Sequence, residues 1–138
     1  MRYHIYRFLC LFFILLVGAV SAEGVDRYVD GTWGRDFTVI GSPNDCTNLG
    51  YAPCRTIQHA IGQSGYGDHV KVQYGTYAEN ISINPTIMGT ATINLRITGG
   101  WGSGFSQQNP SWTTMINGSQ NGSVISVDSN SYLQLWIQ

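Results

Sequence analysis

The groups that could do acid–base chemistry are few and scattered. Glu23, Asp26, Asp30, Asp36, Asp45, Asp68, Glu79 and Asp128 are the acids, Lys71 and Arg96 the cations after the helix signal, and His59 and His69 the imidazoles beyond the N-terminal apolar run. Cleaving a glycosidic bond needs two carboxylates facing it, and abstracting a proton from a sugar acid needs a positioned base, often beside calcium. No two of these acids recur at the same place in successive strand segments, so no catalytic residue is assigned. Asp68, Glu79 and Asp128 read instead as turn residues that accept backbone hydrogen bonds. The four leading aspartates match no calcium loop, and neither histidine has a Cys, His or Asp companion at ligand spacing. No metal ligand is therefore assigned, and His59 and His69 read as solvated surface residues. Gly100-Trp101-Gly102-Ser103-Gly104 has the spaced glycines of a phosphate loop but neither a lysine nor a helix after it. It reads as a turn, and no cofactor-binding residue is assigned.

Two other constellations remain. Cys46 and Cys54 are an even pair outside the apolar N-terminal run and lack any CxxC partner; in an exported protein they are expected to form a disulfide, which constrains the unfolded chain by about 2 to 3 kcal/mol. Trp101 and Trp112 bracket a Gly- and Gln-rich stretch, with Phe105 inside it and Tyr74 and Tyr77 around an earlier turn. Exposed rings on a rigid frame suit sugar rings, whose apolar faces stack while their hydroxyls meet Asn and Gln. Trp101 and Trp112 are thus candidate carbohydrate contacts, against the plainer reading that they pack the stretch down.

These residues are positioned by a short helix and many short strands. Residues 1–22 combine Arg2 and Arg7 with the apolar run Phe8 to Val20 and the small residues of Val20-Ser21-Ala22, the pattern of a signal peptide. The run is shorter than the roughly 20 residues of a membrane span, so no span is expected in the mature chain. Losing Arg2 and Arg7 takes the seven basic residues to five, against eight acidic. With no Lys/Arg cluster the electrostatic footprint of a nucleic-acid binder is missing. The expected location is secreted or cell-surface, whether extracellular, periplasmic or outer-membrane. Sequons at Asn80, Asn117 and Asn121 matter if the source glycosylates its exports.

Residues 23–53, rich in Gly, Pro and Asn, read as a loop-rich leading segment with short strands at Arg27 to Asp30 and Phe37 to Ile40. From Cys54 onward Ile57, Ala60 and Ile61 form an i, i+3, i+4 stripe that predicts a helix ended by Gly62, Gly65 and Gly67. Then the period drops to two in His69 to Gln73 and Ile81 to Ile83, and apolar patches recur at Ile93/Leu95/Ile97, Met115/Ile116, Val124/Ile125/Val127 and Leu133/Leu135/Ile137. Periodicity alone leaves an antiparallel sandwich and a strand solenoid nearly level.

The segments Cys54 to Ile61, Gly67 to Val72 and Tyr74 to Ile81 are similar to the N-terminal region of right-handed parallel β-helix proteins of the pectin-lyase-like superfamily. The resemblance implies an all-β, right-handed parallel β-helix (solenoid) fragment with a short N-terminal capping α-helix, occupying residues 54–138. It is nearly silent about function. Because Leu133 to Ile137 ends without a covering cap, the chain is expected to be truncated, the N-terminal part of a longer polypeptide. The expected function is the structural beginning of a cell-surface or extracellular protein with an adhesive or carbohydrate-binding role and a polysaccharide or cell-surface glycan as partner. The alternative is the leading segment of a pectate-lyase-like enzyme or glycoside hydrolase whose catalytic residues lie beyond residue 138, so enzymatic activity stays open.

Overall fold

The structure, a computed structural model, describes residues 23–38, 41–49, 52–84, 92–119, 122–127 and 132–137. The expected signal peptide, together with Val39 and Ile40 of the expected strand and Asp128, lies outside them. In chain order the elements are β1 (Asp26–Val29), α1 (Ile57–Gln63), β2 (His69–Gln73), β3 (Gly75–Tyr77), β4 (Ile81–Ile83), β5 (Thr92–Trp101), β6 (Thr114–Ile116), β7 (Ile125–Val127) and β8 (Tyr132–Ile137). Among the described residues no helix is long and apolar enough to cross a membrane.

The stripe that predicts α1 is the face it buries: Ile57, Ala60 and Ile61 lie in the core with Val29, Val70, Val72, Ile81, Ile83 and Leu95. A seven-residue helix is too short to be stable by itself, so its ends must be held. Its N-terminus is held by acids that come from elsewhere in the chain. Glu79 accepts from the Ile57 and Gln58 amides at 2.9 Å each, and Asp36 accepts from the Arg55 and Thr56 amides at 2.8 and 3.0 Å. Thr56 is the N-cap, its hydroxyl accepting from the His59 amide at 3.2 Å. At the other end Ser64 returns its amide to Ile61 O and its hydroxyl to Ala60 O.

The strands pair in parallel throughout. β1, β2, β5 and β8 form one sheet in that order, β3 pairs with β6, and β4 with β7. Alternation places the inward residues in register, Val29 opposite Val72 and Val70 opposite Ile97, so each strand's apolar face meets its neighbour's. Phe37 makes only an isolated antiparallel bridge to Pro43. Beneath β3 the Tyr77 ring enters the core; its hydroxyl donates to Gln73 O at 3.0 Å and accepts from the Gly31 amide at 3.3 Å. Burial there pushes the phenol up to about 12.

The expected right-handed parallel β-helix is corrected by this assembly. The described residues hold one seven-residue helix and short strands divided among small separate parallel sheets, of four, two and two strands, and they do not make a solenoid. A solenoid stacks every face once per turn at a nearly constant interval. Here Asp26 lies opposite His69, His69 opposite Arg96, and Arg96 opposite Trp136, at unequal intervals. Side chains join the small sheets instead. Gln58 clamps β4 by donating to Ser82 O at 3.1 Å and accepting from its amide at 2.6 Å; Thr114 of β6 donates to Gln73 O of β2 at 3.2 Å; Asn80 donates to Ser123 O at 2.8 Å.

Candidate functional site

The register of the four-stranded sheet slips once. Lys71 opposes Thr98 but Gln73 opposes Trp101, so β5 carries one extra residue, a bulge at Gly99 and Gly100. Gly100 lies at φ +70°, and a Cβ there would sit 2.8 Å from Trp112 O and 2.9 Å from Asn109 O. Only glycine fits that backbone. Residues three apart on a regular strand face opposite ways; the bulge turns Trp101 onto the same face as Thr98. There the Trp101 indole Nε1 donates to Thr98 Oγ1 at 2.7 Å.

That face is the outer side of the four-stranded sheet, and the 101–112 loop lies back over it. Phe105, in the left-handed region at φ 56°, packs on the Tyr28 ring at 5.1 Å, and the Lys71 ammonium stands 4.7 Å from the Trp101 ring centroid. Lys71 also bonds Asp26 Oδ2 at 2.6 Å. His69 completes the cluster, its Nε2 2.7 Å from Thr98 Oγ1 and its Nδ1 3.4 Å from Asp26 Oδ1.

Asp26, His69 and Thr98 thus stand in the order carboxylate, imidazole, hydroxyl that nucleophilic catalysis uses. The hydroxyl is out of reach. Thr98 is 1% exposed, and its oxygen is already engaged by the Trp101 indole. The three residues anchor the loop rather than attack a substrate. With Asp26 facing Nδ1, the neutral ring carries its proton there, and Nε2 accepts the Thr98 proton while Thr98 accepts from Trp101.

Burial holds the His69 pKa below its ordinary 6.5, with Arg96 and Lys71 pushing the same way and Asp26 opposing them. A depressed folded-state pKa means the unfolded chain binds this proton first. The anchoring contribution is therefore complete above pH 6.5 and is lost as pH falls through the lower folded value. Thermal midpoints should decline on acidification below pH 6.5, and His69→Gln should flatten that part of the profile; an unchanged slope in the variant would remove His69 as its source.

On the loop's other side opens a cleft of about 550 Å³, lined by the Gly99–Gly100 bulge, Gln108, Asn109, Pro110, Trp112 and the Thr113–Thr114 pair. Gln108 Nε2 donates to Gly99 O at 2.8 Å and Asn109 Oδ1 accepts from the Ser111 amide at 2.9 Å. Trp112 meets Tyr74, with ring centroids 5.5 Å apart and planes tilted by 40°. The Gly102 backbone passes close beneath Trp112; a Cβ there would sit 2.6 Å from its ring.

The two candidate tryptophans therefore part company. Trp101 is tied into the sheet-side anchor, whereas Trp112 lines the cleft. The two histidines are half-buried and partnered, not solvated: His59 Nε2 lies 2.8 Å from Asn44 O and its ring 5.8 Å from Phe37. Cys46, Cys54 and His59 lie within 4.8 Å of one another, but the sulfurs are joined in a disulfide and offer no thiolate to a metal. The sequence missed the anchor because its parts come from three strands. Its one local signal was Gly99-Gly100, a bulge cue inside an otherwise alternating strand. No protein-family model, curated protein or solved structure matches this chain.

Proposed function

We propose that the chain is an exported structural module of an extracellular or cell-surface protein, and that it contacts carbohydrate through the cleft beside Trp112. The observation that carries this reading is the cleft itself. A half-buried indole stands with two amide side chains and a threonine pair in an open depression of about 550 Å³, built on a glycine bulge where the backbones approach closely. Aromatic faces with neighbouring amides are the chemistry that binds sugar rings. The Asp26–His69–Thr98 alignment is closed to substrate, which supports binding over turnover.

The test is glycan-array binding of the chain, followed by titration of any hit. Trp112→Ala should weaken binding by at least about tenfold, equivalent to about 1.4 kcal/mol. Wild-type chain that binds no glycan at millimolar concentration would remove the reading.

A further inference from the structure

We propose that the cleft takes an uncharged glycan as a single soluble chain, and not a polyuronate, a sulfated glycan or the flat face of an insoluble polymer. This deepens the carbohydrate reading and rests on it. The first ground is charge. Among the described residues none that lines the cleft is ionisable, and from Ile97 to Gln138 the sequence holds one charged residue, Asp128. An acidic sugar needs a guanidinium fork or a bridging cation, because a carboxylate drawn from water without a partner is strongly disfavoured. Lys71, which lies on the sheet side of the same loop, is engaged with Asp26 and with the Trp101 ring. Arg27 is engaged with Asp68.

The second ground is the hydrogen-bonding set. Gln108 spends an amide hydrogen on Gly99 O, which leaves its side-chain carbonyl to accept; Asn109 spends its carbonyl on the Ser111 amide, which leaves its NH2 to donate. Free donors and a free acceptor on consecutive residues complement hydroxyls, which both donate and accept. A carboxylate or sulfate only accepts, so the Gln108 carbonyl would go unmet.

The third ground is ring geometry. Binding the face of an insoluble polymer requires coplanar rings in a row. Trp112 and the half-exposed Tyr74, which stands beside the cleft rather than in its lining, are in contact but tilted by 40°, so they offer no coplanar platform for a flat polymer face.

The experiment is calorimetric titration of the chain with neutral gluco-, manno- and galacto-oligosaccharides and with oligogalacturonate and a sulfated oligosaccharide, each at low and high salt. A pull-down on insoluble cellulose runs alongside. The expected result is binding of at least one neutral oligosaccharide with an affinity unchanged by salt, weakened about tenfold or more by Trp112→Ala and also by Asn109→Ala. The second variant lies on a loop, so the test stands even if loss of the indole unfolds the loop. Binding of the acidic ligands that weakens with salt would overturn the neutral assignment while leaving the carbohydrate reading intact. Binding to cellulose alone would overturn the single-chain assignment. Binding to none of these, with no hit on the glycan array, would remove the carbohydrate reading itself.

Discussion

Asp68→Ala should lower the unfolding free energy by about 3 to 5 kcal/mol, a large share of the roughly 5 to 15 kcal/mol that holds a domain folded. The carboxylate joins three parts of the chain. It accepts from the Val25 amide at 2.7 Å, from Arg27 Nε at 2.7 Å and from the Gly65 amide at 2.8 Å. With side-chain exposures of 5% for Asp68 and 12% for Arg27, little water can replace it. Truncation would leave two amides and the Arg27 Nε without their acceptor at the point where β1 joins β2 and α1 ends, the guanidinium keeping only its bond to Asp45 O. Asp68→Asn should lose less, since its carbonyl can still accept, but it gives up the charge opposite Arg27. Asp26→Ala is the control. Its carboxylate, 40% exposed, bonds Lys71 and faces His69, and because water can replace it there its loss should cost less than that of Asp68. Urea unfolding of the three variants separates the cases, and equal midpoint shifts for Asp68→Ala and Asp26→Ala would show that burial of the Arg27 pair confers nothing.

That contrast also marks what the residues could disclose in advance. Asp68 read correctly as an acceptor of backbone amides, because a short acid after Gly67 can serve a turn. Its link to Arg27, 41 residues earlier, has no local trace. Likewise the α1 stripe at Ile57, Ala60 and Ile61 and the alternation of Val70 with Val72 disclose which faces are buried, since periodicity is a property of one segment. How segments meet is a property of pairs. The same alternating strands could be stacked as equal turns or gathered unequally into sheets of four, two and two, and the local pattern is identical in each case. The motif around Cys54 to Ile81 tipped the expectation toward a strand solenoid; the pairing of Asp26 with His69 across the whole leading loop is what it could not foresee.

The cleft was legible by halves for a related reason. Aromatic residues at 101 and 112 flagged the loop, but which ring is left to line the cleft depends on the bulge at Gly99 and Gly100, which reverses the facing of the strand after it. Without the bulge Trp101 would point away from Thr98. With it, Trp101 is consumed in the anchor, and Trp112 is left lining the cleft with its ring against Tyr74.

Removing the Cys46–Cys54 disulfide, by reduction or by Cys46→Ala/Cys54→Ala, should cost about 2.5 kcal/mol on chain entropy alone, the value for a loop of this size. The measured loss should be larger, because the staple also finishes the sheet. Tyr28 donates to Cys46 O, while Cys54 donates to Tyr28 O and Asp30 to Cys54 O, each at 2.8 Å, so both half-cystines lie along the outer edge of β1 and both are fully buried. An unpaired strand edge is where a sheet frays or recruits another chain. Asn44 fastens the same loop, its side-chain amide donating to Arg35 O at 2.7 Å and Ala52 O at 3.0 Å, so the segment keeps some order when the sulfurs part. Hydrogen exchange distinguishes the two contributions. An effect confined to the unfolded state lowers protection of all core amides together, whereas loss of the edge speeds Tyr28, Asp30 and Cys54 ahead of Val70 and Val72. The edge-specific pattern is the expected one. A reduced protein with an unchanged urea midpoint would mean that Asn44 and the β1 hydrogen bonds hold the leading segment without the bridge.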